Sequence, residues 1–450
     1  MKLLIRNGTL IDPENGIHEE RDLWLEDGKV SLPSGAPDEI IDARGRIVCP
    51  GFIDIHMHED PVNAAGEIEA YDETSIYACM LHMGVTTAVG GNCGENKYHP
   101  ADYLDIADRD GVPVNVAMLA GHEYFRKEAG CTDRYAPTDG QQRARMSARV
   151  TEALDRGCLG VSFGIRYQPG MDAAELRQTA AGCTERHKLV AAHIRDDAAN
   201  VFSAAREFLD AGLALEVPLE VSHIGSMAGF GQMAEFLRLI DEYRRLREDI
   251  FCDCYPYDAF STQLGSATYD EGWQNRYGCD YDAVELCLTP GRGVRATEEL
   301  FRKVRAEHPE CVTVCHVMRQ DDVDLAFRHG AVMIGSDGTL NRGRGHPRAC
   351  GTFPRVLSRY VRSGVLTLDD ALRRMTAMPA RQLGLKNKGH LGVGADADVV
   401  IFDPDKIIDN ATFEEPLAPP SGIERVLLNG KTVLLDGNII DRRAGRSVRG

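Results

Sequence analysis

The sequence of 450 residues predicts an α/β fold, a (β/α)8 TIM-type barrel plus a small β-sandwich domain built from both chain termini. Between residues 51 and 385, short apolar strand patterns alternate with longer helical patterns, which indicates βαβ units and a parallel sheet. About eight such units fit this length, which suits a closed barrel better than an open sheet. Hairpin-like segments at both ends of the chain predict the small domain.

The terminal segments share one kind of pattern. Residues 1–50 are interpreted as short strands separated by turns, as in KLLIRNGTLID and DLWLEDGKV. Residues 386–450 contain ADADVVIFDP and then GIERVLLNGKTVLLDGNII. Runs of this kind with NG and DG between them are typical of β-hairpins. We therefore expect residues 1–50 and 386–450 to assemble one β-sandwich domain.

The barrel is predicted over residues 51–385. Its candidate strands are FIDIHMH, TTAVGGN, VPVNVAML, CLGVSFGI, KLVAAHI, PLEVSHIG, IFCDCYP, CVTVCH and AVMIGSD. Helical patterns such as DAANVFSAAREFLDAG separate them. Residues 258–296 form a long irregular stretch between a strand and a helix, and such loops often serve as lids over a site. Residues 258–296 are therefore a candidate lid.

Composition limits the classes of partner. The formal net charge is −18, and an acidic chain is a poor ligand for nucleic acids and for anionic lipid surfaces. No apolar run approaches a membrane span, and the opening MKLLIRNGTLIDPENG lacks the apolar core of a signal peptide. The 13 cysteines follow no disulfide-framework spacing. We expect free thiols, a cytoplasmic location and a small-molecule partner, with the oligomeric state left open.

Two histidines, His56 and His58, stand one residue apart at the end of the apolar run IVCPGFIDI. Alternate side chains of a strand point the same way, so both imidazoles project together. Barrel active sites lie at the carboxyl ends of strands, where Cys93, His193 and His223 also occur. A ring of nitrogen and sulfur donors is what a divalent ion such as Zn²⁺ binds.

Asp337 ends the last candidate strand, in MIGSDGT. A carboxylate beside a metal can accept a proton from the attacking water and pass it to the leaving group. The simpler interpretation is a turn-forming aspartate, but the histidine-rich barrel favours a general base. His122 and His316 also follow strand patterns, and the sequence leaves open whether they bind metal. His99 and His346 are interpreted as solvated loop residues.

With these residues the chain resembles the amidohydrolase superfamily, through GFIDIHMH, histidines on two later strands and an aspartate on the last. It is more closely similar to the N-acyl-D-amino-acid deacylases, also called D-aminoacylases. The matching stretches, from residue 51 to beyond residue 370, are GGNCG, AGHEYFR, SFGIRYQPG, AAHIRD, VSHIG, CYPY, MIGSDG and GHPRACGTFPRVLSRYV. The cysteine in NCG is the specific feature, because many relatives use a carboxylated lysine there.

The resemblance implies one tight zinc ion and a second, weaker metal position. Cys93, His193 and His223 would bind the tight ion. His56 and His58 would belong to the second position, with Cys93 able to bridge the two.

The resemblance also implies the catalytic and substrate-binding roles. Asp337 would be the general base and acid. Arg348, in HPR, would pair with the α-carboxylate of the substrate, assisted by Tyr167. A planar guanidinium fits a carboxylate with two parallel hydrogen bonds, which gives Arg348 a physical reason for this role. The implied reaction is zinc-dependent hydrolysis of an N-acyl-D-amino acid to a carboxylate and a D-amino acid.

One position departs from the family pattern. The family has a lysine two residues after the histidine that matches His223, and this chain has Gly225. Either Arg195, Arg342 or Arg344 replaces that cation, or the substrate is not a free α-amino-acid derivative. Gly225 therefore leaves an alternative open, a cyclic amide hydrolase of the hydantoinase or dihydroorotase kind. A non-catalytic metal-binding barrel is disfavoured by the complete set of ligands and base.

Overall fold

In a computed structural model of the chain, which describes residues 1–288, 293–341 and 343–450, eight parallel strands form one continuous sheet. The two ends of this sheet meet. The Asp337 N–H donates to the His56 carbonyl at 2.7 Å, and the His58 N–H donates to the Gly338 carbonyl at 2.9 Å. The sheet therefore curls into a nearly closed barrel, and the predicted (β/α)8 fold class is confirmed.

The strands follow the predicted alternation closely. In chain order they are β1 (Lys2–Arg6), β2 (Thr9–Asp12), β3 (Ile17–Glu20), β4 (Leu23–Glu26), β5 (Lys29–Ser31), β6 (Glu39–Asp42), β7 (Ile47–Pro50), β8 (Phe52–Asp54), β9 (Val85–Gly90), β10 (Asn115–Gly121), β11 (Gly160–Gly164), β12 (Leu189–His193), β13 (Leu219–Val221), β14 (Ile250–Cys254), β15 (Phe260–Gln263), β16 (Val284–Leu286), β17 (Val294–Arg295), β18 (Val312–Cys315), β19 (Val332–Ile334), β20 (Leu340–Asn341), β21 (Arg344–Gly345), β22 (Val399–Phe402), β23 (Ile423–Leu428), β24 (Lys431–Leu435) and β25 (Asn438–Ile439).

The helices pack around the barrel or lie between its strands. In chain order they are α1 (Ile76–His82), α2 (Pro100–Asp110), α3 (His122–Glu128), α4 (Gly140–Asp155), α5 (Ala173–Thr179), α6 (Ala181–Arg186), α7 (Val201–Leu213), α8 (Ile224–Ala228), α9 (Met233–Arg244), α10 (Trp273–Tyr277), α11 (Glu298–Glu307), α12 (Gln320–Arg328), α13 (Arg348–Arg355), α14 (Leu368–Met375) and α15 (Ala377–Gln382).

The barrel sheet runs β8-β9-β10-β11-β12-β13-β14-β19. Its strands are mostly apolar rather than alternating between polar and apolar residues, and every residue of β9 and β10 is buried. Parallel strands covered on both faces need such runs, because neither face meets water. Because all eight strands are parallel, their last residues lie at the same end of the barrel.

Both termini contribute to the small β structure. One sheet has the order β5-β4-β1-β6, and a second has the order β25-β24-β23-β22-β7-β2-β3. Strand β22 pairs antiparallel with β7, with Val399 opposite Pro50 and Phe402 opposite Ile47. A separate apolar cluster, which includes Leu3 and Val399, fills the space between these sheets. The part of the fold prediction that joins the two termini is confirmed.

One predicted barrel strand lies elsewhere. CVTVCH contains β18, which belongs to a four-stranded antiparallel sheet of order β15-β18-β16-β17. The prediction was wrong because a short apolar run fits a buried strand of either sheet equally well. The candidate lid, residues 258–296, spans β15 to β17, and its residues 289–292 lie outside the described part of the chain.

The expectation of free thiols fails at one pair. Cys79 on α1 and Cys350 on α13 form a disulfide across 271 positions of sequence. Sequence spacing gives no sign of such a pairing, because tertiary packing alone brings the two helices together. The other 11 cysteines are free, and both Cys252 and Cys254 are buried. Among the described residues, no helix is long and apolar enough to cross a membrane.

Candidate metal centre and active site

A cavity of about 1020 Å³ opens at the carboxyl end of the barrel. The predicted residues His58, Cys93, His193 and His223 line it, and so do Tyr167, Asp337 and Arg348. His56 does not line the cavity but contacts Cys93, which does, and its ring is fully buried. The structure thus brings together every site residue that the sequence predicted.

Three of these residues adopt backbone conformations that ordinary side chains avoid. Cys93, His223 and Asp337 have φ angles of 53°, 35° and 48°. Left-handed backbone costs free energy for residues other than glycine, and it persists where the surrounding structure enforces it, often at functional sites. Each of the three turns the chain sharply just after a barrel strand, which aims its side chain into the cavity.

The Cys93 thiol stands at the centre of the cluster. Its Sγ lies 3.4 Å from His56 Nε2, 3.3 Å from His223 Nε2 and 3.9 Å from His193 Nδ1. A tetrahedral Zn²⁺ with ordinary bond lengths places a sulfur and a nitrogen ligand about 3.6 Å apart. The residues present therefore fit a zinc ion.

The second group of candidate ligands shares Cys93 with the first. His56, His58, Cys93 and Asp337 offer ligand atoms that all lie within 4.8 Å of one another. Asp337 Oδ1 lies 3.1 Å from His58 Nε2 and 3.6 Å from His56 Nε2. The geometry suits two adjacent metal positions with the thiol between them.

Neighbouring charges make both anionic groups easy to ionise. Burial raises the pKa of the Cys93 thiol, but His223 and His56 outweigh it and hold that pKa well below its usual value. Burial likewise raises the pKa of Asp337, and Arg348 leads the charges that hold it well below its usual value. At neutral pH the protein therefore offers a thiolate and a carboxylate to the cavity.

The histidines differ from one another in their protonation. Burial, helped by His223, lowers the pKa of His193 to about 4, so its ring is neutral and able to donate a lone pair. For His58, burial lowers the pKa, but hydrogen bonding to Asp337 outweighs it and raises the pKa to about 9. A metal must displace that proton to bind His58 at neutral pH, which disfavours the second position.

Two residues that the sequence did not single out orient the rings. Asp253 Oδ2 lies 3.1 Å from His56 Nδ1 and accepts the backbone N–H of His223 at 3.0 Å. The Ser226 hydroxyl donates to the His223 carbonyl at 2.9 Å and lies 3.0 Å from His223 Nδ1. One signal was available for Asp253, a carboxylate alone in the apolar strand IFCDC, whereas nothing local distinguishes Ser226.

Arg348 lines the cavity beside Asp337. Its Nη1 lies 2.8 Å from Asp337 Oδ2, and its guanidinium stacks over the Tyr255 ring at 4.5 Å. The side chain is 1% exposed. Tyr167 packs against the His193 ring, with centroids 4.6 Å apart. A buried cation and a phenol therefore flank the candidate ligands on the cavity side.

The sequence suggested three arginines as replacements for the family lysine, and the two that the structure describes, Arg195 and Arg344, are engaged elsewhere. Arg195 pairs with Glu207 at 2.7 Å, and Arg344 donates to backbone carbonyls. Arg342 lies outside the described residues. A Cβ on Gly225 would meet Cys254 Sγ at 3.0 Å, so neighbouring side chains occupy the space that a longer residue would need.

The histidines left open by the sequence are placed away from the ligand cluster. His122 pairs with Glu175 at 2.7 Å and is fully buried, and His316 lies 3.3 Å from Glu285. His99 and His346 are buried, which contradicts the expectation that both are solvated. Phe125 packs against the His99 ring, and Tyr257, which is distant in sequence, packs against the His346 ring.

An eight-stranded barrel with thiolate, imidazole and carboxylate groups gathered at its carboxyl end is the arrangement that a metal-assisted hydrolase uses. A model of an amidohydrolase family matches residues 39–163 and 283–434 of the chain. The chain therefore belongs to the amidohydrolase family and, within it, to the N-acyl-D-amino-acid deacylases.

The relatives support this placement over nearly the full length. The chain is 32% identical to an N-acyl-D-glutamate deacylase of Alcaligenes xylosoxydans xylosoxydans, covering 96% of this chain and 93% of the relative. It is also 32% identical to a D-aminoacylase of that organism, covering 99% and 96%. Dihydroorotases and hydantoinases are less similar, at 25 to 27%. The cyclic amide hydrolases are thus the more distant group.

A solved structure resembles the whole chain. The N-acyl-D-glutamate deacylase of Bordetella bronchiseptica, complexed with zinc and a phosphonate inhibitor, superposes with a TM-score of 0.86. The two chains are 31% identical, and the match covers 100% of this chain and 99% of that one. The barrel and the terminal β structure are therefore common to both proteins.

Proposed function

We propose that the protein is a zinc-dependent deacylase that hydrolyses N-acyl-D-amino acids to a carboxylate and a D-amino acid. The observation that carries this proposal is the Cys93 thiol, which lies within 3.9 Å of three histidine rings at the mouth of the barrel. The named deacylase relatives support the substrate class.

Cys93, His193 and His223 would hold the tight zinc ion, and His56 and His58 would hold a second one. A zinc ion supplies Lewis-acid chemistry, since it polarises a carbonyl and lowers the pKa of water. The thiolate and the neutral His193 ring are both in the protonation state that metal binding requires.

Asp337 is the proposed general base and acid. Its carboxylate faces the cavity 3.1 Å from His58, and its low pKa keeps it ionised before the reaction. It accepts the proton of the attacking water and then donates that proton to the departing amine nitrogen. The new C–O bond forms when water attacks the carbonyl carbon, and the C–N bond breaks afterwards as the nitrogen receives the proton, so one proton is carried from water to the amine.

Arg348 and Tyr167 are the proposed substrate-binding residues. Arg348 is buried at the cavity wall, where a carboxylate would gain strongly from its charge. In the structure it pairs with Asp337, so a substrate carboxylate would share the guanidinium with the general base. Tyr167 lies beside His193 and limits the space available to the substrate.

Hydrolysis assays with purified protein and zinc test the proposal. We expect amine release from N-acetyl-D-amino acids, little from the L-enantiomers and no ring opening of hydantoins. A chelator should abolish turnover, and added zinc should restore it. Ring opening of hydantoins without release of D-amino acids would favour the cyclic amide alternative instead.

Asp337→Asn tests the mechanism directly. It should lower kcat by at least about 100-fold, because general acid–base catalysis contributes on that order. Glu69→Gln is the matched control, since Glu69 is an exposed carboxylate on the same cavity. Unchanged turnover by Asp337→Asn would overturn the assigned role.

We also propose a cytoplasmic location. It is supported by the excess of free cysteines, 11 against the two in the Cys79–Cys350 disulfide, because unpaired thiols persist in reducing compartments. Cell fractionation with an antibody against the protein checks it, and recovery in a secreted fraction would contradict it.

A further inference from the structure

The loop that carries Cys93 turns back on itself through three left-handed residues. Gly91, Cys93 and Gly94 have φ angles of 75°, 53° and 77°. The two glycines adopt this backbone without strain, but Cys93 does not. Something outside the loop must therefore hold Cys93 in place.

The Glu59 carboxylate spans this loop. Its Oε2 accepts the Gly91 N–H at 2.8 Å, and its Oε1 accepts the Lys97 N–H at 3.0 Å. One oxygen therefore anchors the start of the loop and the other anchors its end. Hydrogen bonds from backbone N–H groups to a carboxylate are among the stronger ones in proteins.

The surroundings are shaped to this contact. Glu59 is 1% exposed and does not line the cavity, so it faces the loop rather than a substrate. A Cβ on Gly90 would lie 2.8 Å from Glu59 Oε2, so a side chain at that position would push the carboxylate away. Glu59 also follows His58 directly in the chain. One side chain thus ties the segment with His56 and His58 to the loop with Cys93.

We propose that Glu59 is a positioning residue, which clamps the Cys93 loop so that the thiolate faces the three histidines before any metal arrives. This inference rests on the proposed metal site. Glu59 touches neither substrate nor reacting atoms, and it acts through the backbone of the loop. Because the clamp holds Cys93 in place beforehand, metal binding does not have to oppose the conformational entropy of a mobile loop.

Three variants separate the clamp from its charge. Glu59→Gln keeps the length but replaces one acceptor by an amide NH2, and Glu59→Asp keeps the charge but shortens the reach. Glu95→Gln is the matched control, because Glu95 lies in the same loop and its side chain forms no hydrogen bond with the described residues. It removes one negative charge near the site and leaves the clamp intact.

Zinc affinity, measured by competition with a chelator, is the first readout. Both Glu59 variants should bind zinc about 10- to 100-fold more weakly, as is typical when a group that supports a metal ligand is lost. Glu95→Gln should stay within about twofold of the original protein. Wild-type affinity in Glu59→Gln would overturn the clamp. Wild-type affinity in Glu59→Asp alone would show that charge acts instead, which also overturns it.

The cobalt-substituted protein gives a second readout. The near-ultraviolet charge-transfer band from thiolate to Co²⁺ should weaken in the Glu59 variants and persist in Glu95→Gln. A protein with no zinc binding and no such band before mutation would refute the proposed metal site itself. The two failures are therefore distinguishable.

Hydrogen exchange on the unmutated, metal-free protein keeps the inference testable if the variants do not fold. The clamp predicts slow exchange at the Gly91 and Lys97 amides without metal. Exchange there as fast as in an exposed loop would overturn the inference.

Discussion

At the scale of single residues, neighbouring groups make hydrogen bonds to the rings beside Cys93 that suit metal binding. The Ser226 hydroxyl has one proton and donates it to the His223 carbonyl. Metal binding through Nε2 requires a proton on His223 Nδ1, and the Ser226 oxygen, 3.0 Å from Nδ1, can accept that proton. Asp253 acts in the same way on His56. Hydrogen bonds of this kind raise the affinity of a ligand for its metal.

Ser226→Ala should therefore weaken zinc binding about 10- to 100-fold, because His223 loses the acceptor that fixes its ring. Ser226→Thr keeps the hydroxyl and should remain within a few-fold of the original affinity. Chelator competition on the two variants measures the difference. Equal affinity in Ser226→Ala and Ser226→Thr would show that the hydroxyl does not orient His223.

At the scale of secondary-structure elements, a buried ionic cluster joins α3 to α5. Glu175 Oε1 lies 2.7 Å from His122 Nε2 and 3.0 Å from Arg126 Nε, and Thr138 donates to Oε2 at 2.6 Å. Burial raises the pKa of Glu175, but His122 and Thr138 outweigh it and lower the pKa to about 2. In the stretch AGHEYFR, His122 and Arg126 therefore join α3 to α5 and do not belong to the candidate metal ligands.

Glu175→Gln should lower the free energy of unfolding by about 3–5 kcal/mol, because it leaves the Arg126 charge buried without a partner. Glu298→Gln, at an exposed pair with Arg302, is the matched control and should cost at most about 1 kcal/mol. Denaturant unfolding measures both. Equal losses in the two variants would contradict the account.

The same carboxylate gives a dependence on pH. A lowered folded-state pKa stabilises the protein at pH values above the ordinary carboxyl pKa, and this stabilisation is lost as pH falls toward about 2. The difference in stability between the original protein and Glu175→Gln should therefore shrink as the medium is acidified.

At the scale of the whole molecule, the last residues of the chain reach the barrel. Val116 N–H donates to the Arg446 carbonyl at 2.9 Å, and Val448 N–H donates to the Val116 carbonyl at 2.7 Å. Val448 joins an apolar cluster with Ile53, Val89 and residues of several other barrel strands. The tail thus extends the sheet contacts of β10 and covers apolar side chains of the barrel.

Deletion of residues 441–450 should lower the free energy of unfolding by at least about 2 kcal/mol, roughly the value of burying one valine side chain. Val448→Ala should account for about half of this, whereas Arg449→Gln should cost little because its ion pairs are partly exposed. Thermal and denaturant unfolding measure all three. A deletion that leaves stability unchanged would show that the tail is not part of the barrel structure.

The sequence was sufficient where the signal is local. Alternating strand and helix patterns predicted the barrel, and paired hairpin patterns predicted the joined termini. The H-x-H spacing placed His56 and His58 on one side of a strand. Because barrel sites lie at strand ends, the sequence predicted that Cys93, His193, His223 and Asp337 belong to one site. The structure brings them together in two groups that share Cys93.

Tertiary structure decided what depends on distant partners. His56 and Asp253 are separated by 197 positions, and Cys79 and Cys350 by 271, so no local pattern relates them. Strand β18 resembles a barrel strand in sequence, and its sheet is chosen by the partners available after folding. Glu59 and Ser226 act through contacts with the backbone and with neighbouring rings. Local periodicity reports how much of a segment is buried, whereas packing decides against which partner it is buried.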